Sequence, residues 1–267
     1  RLAPAVQRRL CLPDAVLASS RSANIAGRLL GSRCYTIIDY EGVETSVFRA
    51  CRTTVLHPSA ISSREFTKLG FAEQRLIPFP GLKEDISFSG LDLEEVVPAE
   101  LPFPRNGLLP AILVRPPSET SIYRVDESVV AMNRILDHLA GRNDVQVVLS
   151  PRKPDQARFL TDRSWKVPPV LLAQMVPLVN LLRAVDRVVT GGGTMLREAA
   201  WFGIPAVSVF QGRFPSVDKW LETKGAIERL RDGVDTASIP WNTRAITKGM
   251  GTVNTDALET VISALES

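Results

Sequence analysis

Histidine and cysteine are scarce in this chain of 267 residues, with two of the first and three of the second. His57 and His138 stand far apart, which excludes a zinc-protease helix of the H-E-x-x-H kind. Cys11, Cys34 and Cys51 lack metal-ligand spacing and read as buried or half-buried thiols in a reducing compartment. No metal site and no cofactor is expected. An excess of charge of one sign is also missing. The net charge is +3 and the basic residues are scattered, so nothing points to nucleic acid as a partner. No apolar run reaches the ~20 residues that span a bilayer. No secretory signal is visible either, and the expected location is the cytoplasm. A Walker loop, a G-x-S-x-G elbow and a G-x-G-x-x-G fingerprint are all absent, and the last argues against a dinucleotide enzyme.

What is present is alternation. Hydrophobic residues make up 45% and charged residues 23%, the balance of an ordinary globular protein. Strands are expected at 14–18, 34–38 and 53–56, with a helix over Ser22–Leu30 ended by Gly31 and a short helix over 44–49. Prolines punctuate 78–110, the expected inter-domain connection. A second series follows. Strands are expected at 111–114, 145–149, 187–189 and 206–210, and helices at 129–139, 177–184, 195–202, 217–224 and 255–265. This pattern predicts an α/β protein with parallel sheets. The expected division is a partial N-terminal Rossmann-like, acceptor-side domain with its linker at 1–100, and a C-terminal Rossmann-like nucleotide-sugar domain at 101–267. The chain opens at Arg1 within a helix-like stretch, and few strands precede the connection, so the first domain is expected to be incomplete.

The densest motif is Thr190-Gly191-Gly192-Gly193-Thr194-Met195-Leu196-Arg197-Glu198. It follows an apolar strand and opens a helix. Glycines let the backbone approach a ligand closely, and a helix N-terminus offers unpaired N–H groups and a favourable dipole to an anion. A tight turn capped by Thr194 explains the same residues. Position favours a site, because ligands of open α/β sheets bind beyond the carboxyl ends of strands.

Other strand ends carry polar groups. Arg115 precedes a loop with Ser118, Thr120 and Ser121; Arg152 follows the strand at 145–149; Arg213 follows that at 206–210. Asp39 and Glu41 end a strand in the first half, and Asp39 is the candidate base. Glu41 and Glu44 read as caps of the helix behind them. His138 reads as structural. Lys83, in Pro80-Gly81-Leu82-Lys83-Glu84, reads as a diphosphate contact or a solvated charge.

The glycine run, with Leu182-Arg183-Ala184-Val185-Asp186 before it and Gly203-Ile204-Pro205-Ala206 after it, resembles the nucleotide-binding domain of GT-B proteins. These include the glycosyltransferase of peptidoglycan lipid II synthesis and the non-hydrolysing UDP-GlcNAc 2-epimerases. More specifically, the chain resembles domain-of-unknown-function family 354. That likeness runs through Pro13-Asp14, Ser20-Arg21, Gly31, Asp39-Tyr40-Glu41, Pro80-Gly81, Lys83-Glu84, Arg115-Pro116-Pro117, Tyr123, Pro151-Arg152, Gln156, Asp218, Leu221 and Gly225. The resemblance implies two Rossmann-like domains facing a cleft. It also implies a nucleotide diphosphate on the glycine loop, a ribose held by Glu198 and a base near Trp165–Pro169. An opening segment bearing an Asp and a His, usual in the family, is absent.

The reading is a glycosyltransferase-like protein, of the polysaccharide-building kind, that takes a nucleotide-diphosphate sugar (a UDP-sugar by preference) and an unknown acceptor. The expected binding residues are Gly191, Gly192, Gly193, Thr194, Glu198, Arg115, Ser118 and Arg152, with Asp39 as catalytic base. The alternatives are a UDP-GlcNAc 2-epimerase-like enzyme and a non-catalytic nucleotide-sugar-binding module.

Overall fold

A computed structural model describes residues 13–91, 103–117, 126–172, 174, 176–231, 233, 235–243 and 253–267. The helix expected at Arg1–Leu10, Cys11, Ser118, Thr120, Ser121 and Tyr123 lie outside the described residues. The described residues fall into two units. The first takes those up to Gly90 together with Pro215–Val217 and Val253–Ser267, and the second those of Leu91–Phe214 and Asp218–Thr252.

In the first unit, strands β1 (Ala15–Leu17), β2 (Arg33–Ile37), β3 (Thr54–Pro58) and β4 (Leu76–Phe79) form a wholly parallel sheet in the order β1-β2-β3-β4. Helices α1 (Arg21–Leu30), α2 (Ser46–Ala50), α3 (Ser63–Lys68) and α4 (Lys83–Ser87) lie between or after them. Helix α1 obeys the local rules. The Ser20 hydroxyl accepts from the Ala23 N–H, and Gly31 ends the helix at φ 85°. Its buried Asn24 donates to the carbonyls of Ala18 (2.8 Å) and Ser20 (2.9 Å) and accepts from the Thr53 hydroxyl (2.9 Å). One side chain thus ties the helix to the residue after β1 and to the residue before β3. The second half of strand β4 and all of helix α4 fall inside the stretch expected as a connection. Pro78 hid the strand, and it is tolerated there because β4 is an edge strand among the described residues.

The second unit holds β5 (Ala111–Arg115), α5 (Asp126–Ala140), β6 (Gln146–Leu149), α6 (Pro154–Thr161), β7 (Val170–Leu171), α7 (Leu178–Arg183), β8 (Arg187–Thr190), α8 (Thr194–Trp201), β9 (Ala206–Ser208), α9 (Ser216–Thr223, its first two residues grouped with the first unit) and β10 (Ile227–Arg229). All pairs are parallel, in the order β10-β9-β8-β5-β6-β7. The doubly wound order reverses between β5 and β8. Ala111 to Val114 are all fully buried, as expected of a strand covered on both faces. Ile112, Val147, Val189 and Val207 of the sheet pack with Met132, Ile135 and Leu136 of α5 and with Trp241.

The last helix, α10 (Thr255–Glu266), departs from the expected division. It groups with the first unit although it ends the chain. Its stripe of Ala257, Val261 and Ala264 packs with Tyr35, Leu56 and Phe79 of the first sheet, and the Arg33 guanidinium donates to the Leu265 carbonyl at 2.8 Å. Among the described residues, no helix is long and apolar enough to cross a membrane, and no cluster of three or more His, Cys, Asp or Glu could hold a metal ion.

One buried ion pair fixes the helix behind the glycine turn. Arg197 of α8 donates from Nε to Asp218 Oδ1 of α9 at 2.7 Å, with side chains only 2% and 1% exposed. Removing one partner strands a buried charge, so Arg197→Met should cost about 3–5 kcal/mol in urea unfolding, with most recovered in Arg197→Met/Asp218→Leu. A single-variant cost under about 0.5 kcal/mol would show that the pair constrains nothing.

Candidate functional site

The reversal of strand order sets the site. At its carboxyl edge Arg115, the last residue of β5, lies opposite Thr190, the last of β8. Directly after Thr190 come the three glycines. A Cβ on Gly191 would stand 2.8 Å from Pro117 Cα, so only glycine lets the loop leaving β8 press against the loop leaving β5. Gly192 and Gly193 then take φ values of 98° and 79°, which turn the chain into α8.

Gly193, not Thr194, is the N-cap of α8, and no side chain caps that end. The expected capping role of Thr194 is therefore corrected. Thr194 is the first helical residue and is exposed, because the left-handed glycine in front of it occupies the cap position. No acidic residue sits in the first turn of α8. The positive end of the helix dipole is thus not answered from its own first turn.

Arg115 is half-buried, and its Nε has no hydrogen-bond partner among the described residues. Burial pushes its guanidinium below the ordinary arginine range, and the negative charge of Glu198 opposes that shift. Glu198, half-buried one turn into α8, is thereby coupled to Arg115. Arg152 is exposed as a residue, yet its Nε turns back to the Pro116 carbonyl at 3.4 Å. Its guanidinium is also shifted down, by partial burial and then by the positive charge of Arg115. Two neighbouring guanidinium groups thus repel each other, a repulsion that an anion between them would relieve.

A pocket of about 450 Å³ opens beside them. Arg115, Arg152 and Lys153 supply its charge, Leu171, Leu172 and Leu181 part of its apolar wall, and no carboxylate lines it. Such a lining suits an anion with a flat or apolar appendage. The glycines do not line this pocket, and Arg115 is the residue shared between it and the turn. Gln156 holds the two loops together. It accepts from the Arg152 N–H at 2.9 Å and donates to the Pro117 carbonyl at 3.4 Å. The residues carried no sign of that role, because the partners lie on different strand exits.

The stretch expected at Trp165–Pro169 to hold a base does not line this pocket. Trp165 packs on the apolar core and donates to the Thr161 carbonyl at 3.3 Å, while Leu171 and Leu172 form the pocket wall. The stretch ends one residue short of the short strand β7, whose pairing with β6 sets which residues reach the edge. Ser118 lies outside the described residues. Arg213 is exposed, and Gln211 beside it is spent on the carbonyls of Val209 and Leu230.

In the first unit, Asp39 Oδ2 meets the Lys83 ammonium at 2.7 Å, so Lys83 answers a carboxylate of its own unit. Gly81, at φ 78°, leaves room for Asp85 Oδ2, which accepts from the Leu82 N–H at 2.7 Å and starts α4. Glu41 bonds not to the helix behind it but to Ser216, grouped in the same unit. Its Oε1 accepts from the Ser216 N–H (2.9 Å) and hydroxyl (2.7 Å). Glu44 accepts from the Ser46 N–H at 2.6 Å, in the first turn of α2. His57 is buried between the Pro58 carbonyl and the Ser63 hydroxyl, and burial pushes its pKa down. His138 is also shifted down, first by burial and then by Arg142.

Solved structures share this architecture. The UDP-GlcNAc 2-epimerase of Neisseria meningitidis, bound to UDP-GlcNAc, matches with a TM-score of 0.64 at 13% identity, over 98% of this chain and 79% of that one. The UDP-GlcNAc 2-epimerase of Methanocaldococcus jannaschii, with UDP-GlcNAc and UDP, matches with 0.64 at 13% identity, over 97% and 78%. Anabaena Alr3699/HepE in complex with UDP-glucose matches with 0.50 at 16% identity, over 100% and 83%. At such identities the likeness establishes the fold, α/β with two Rossmann-like units of the GT-B-like type. An uncharacterized protein of Methanocaldococcus jannaschii is 29% identical over 123 residues, 46% of this chain. The matched stretch spans only 34% of that relative's length. The family model described as "Protein of unknown function (DUF354)" matches residues 48–262, and the chain belongs to that family.

Proposed function

We propose that the chain binds a nucleoside-diphosphate sugar, a UDP-sugar by preference, at the carboxyl edge of β5, β6 and β8, and transfers the sugar to a hydroxyl of an acceptor. The observation that carries this reading is Arg115. It is half-buried at the strand-order reversal, its Nε has no hydrogen-bond partner among the described residues, and it lines a pocket of three cations without a carboxylate. A diphosphate oxygen supplies the acceptor that Arg115 Nε lacks, and the uncapped start of α8 adds N–H donors and a dipole of the right sign.

In this reading the bond between the anomeric carbon and the diphosphate oxygen breaks, and its electron pair leaves with the nucleoside diphosphate. Arg115, Arg152 and the amides of the glycine turn stabilise that growing charge where water is partly excluded. Glu198 accepts from a ribose hydroxyl. The acceptor oxygen bonds to the anomeric carbon and gives its proton to a base, assigned here to Asp39.

A second reading, 2-epimerisation of the same donor, is favoured by one observation. The two UDP-GlcNAc 2-epimerases score 0.64 against 0.50, 0.51 and 0.55 for the three HepE complexes. Product analysis separates the two. Transfer requires an added acceptor and yields free UDP as a stoichiometric product, whereas epimerisation converts UDP-GlcNAc to its 2-epimer without any acceptor. The 2-epimer formed in the absence of acceptor would overturn transfer.

Binding is tested first. Calorimetric titration with UDP should show one saturable site, weakened about 10–100-fold in Arg115→Gln, the loss of a charge-assisted hydrogen bond. Gly191→Ala should remain folded and also bind more weakly, because its methyl displaces Pro117. Equal UDP affinity in the wild type and Arg115→Gln, or no binding by the folded chain, would overturn the donor site.

A further inference from the structure

The first unit carries a second pocket, at the amino edge of its sheet and independent of the site above. Its volume is about 270 Å³. Arg28, Arg33, Arg52 and Arg75 line it, with Cys34 and Cys51 also in its wall, and no aspartate or glutamate does. Parallel topology gathers these residues. Arg33 opens β2, Arg75 precedes β4, Arg28 sits in the last turn of α1, and Arg52 follows α2.

Ordinary structural duty does not balance this charge. Two short helices end here, and each helix C-terminus offers roughly half a negative charge. Four guanidinium groups therefore leave a surplus of roughly three positive charges. Among the described residues none of the four has a carboxylate within ion-pair distance. Arg33 is held by neutral groups only, the Tyr35 hydroxyl at 3.2 Å and the Leu265 carbonyl at 2.8 Å. Arg75 donates to the Arg52 carbonyl. The thiol of Cys34 is pushed up by burial, then by Cys51, so it adds no negative charge. Arg52 is also the one non-glycine residue with positive φ, 54°, among the described residues. That conformation ends α2, with the Arg52 N–H reaching the Arg49 carbonyl and the Thr53 N–H the Phe48 carbonyl, both at 2.9 Å.

We propose that this arginine pocket binds a small phosphate-bearing anion. The planar guanidinium fork matches phosphate oxygens, and the dianion offsets more of the surplus than a single carboxylate. The volume falls just below the ~300–1,000 Å³ of drug-sized ligand pockets, which suits a compact phosphoryl compound or a phospholipid headgroup.

The test uses the full chain labelled with ¹⁵N and titrated with inorganic phosphate. The amides of Gly31, Ser32 and Thr54 should shift saturably, and chloride at matched ionic strength should not reproduce the shifts. In Arg28→Gln/Arg52→Gly the affinity at those amides should fall at least tenfold without a lower Tm, since glycine accepts the positive φ. Co-sedimentation with phosphatidylcholine vesicles containing phosphatidic acid tells the sources apart. Vesicle binding that phosphate competes away and the double variant loses assigns a lipid headgroup. Phosphate shifts without vesicle binding assign a soluble ligand. Shifts that chloride reproduces, that persist unchanged in the variant, or that are absent would overturn the proposal, and the wild-type titration decides even if the variant fails to fold.

Discussion

The pairing of β5 with β8 is the constraint on which the candidate site depends. These strands are distant in sequence, and between them the strand order reverses. Their register sets Arg115 opposite Thr190, so an arginine ends where the glycine turn begins. One residue of slippage would turn Arg115 to the other face of the sheet. The fully buried run before it, Ala111 to Val114, makes such slippage costly. Core packing in the second unit thereby fixes the position of a charge at its edge.

Electrostatics gives that edge its direction. Burial lowers both Arg115 and Arg152, Arg115 adds to the shift at Arg152, Glu198 opposes the shift at Arg115, and α8 begins without a side-chain cap. Each feature alone is ordinary, but together they leave a surplus of positive potential that an anion relieves. Arg197 lies on the same helix as this uncapped terminus, yet its charge is answered in the core by Asp218 of α9. One helix therefore carries a paired arginine in the core and an N-terminal end without a side-chain cap.

Much of this was legible in the residues. The strands at 111–114, 145–149, 187–189 and 206–210 are apolar runs bounded by turn residues, and each is a strand at about that position. Strand β7, with two residues, and β10, with one buried residue of three, are too short for periodicity to detect. Arg115 and Arg152 were visible because both follow strand-like runs. Gln156, Lys153 and the leucines of β7 and its exit were not assigned, since only the sheet order brings them to Arg115. The helix at 255–266 was legible as a helix, but not its place. Small residues at 257 and 264 fit a close-packed partner without naming it, and that partner lies in the first unit.

The most direct test of the account is a crystal structure of the chain with UDP. The account predicts diphosphate oxygens within hydrogen-bond reach of Arg115 Nε and of the amides at the start of α8, with the uracil against Leu171 and Leu172. A diphosphate bound elsewhere, for instance among the arginines of the first unit, with Arg115 untouched, would contradict it.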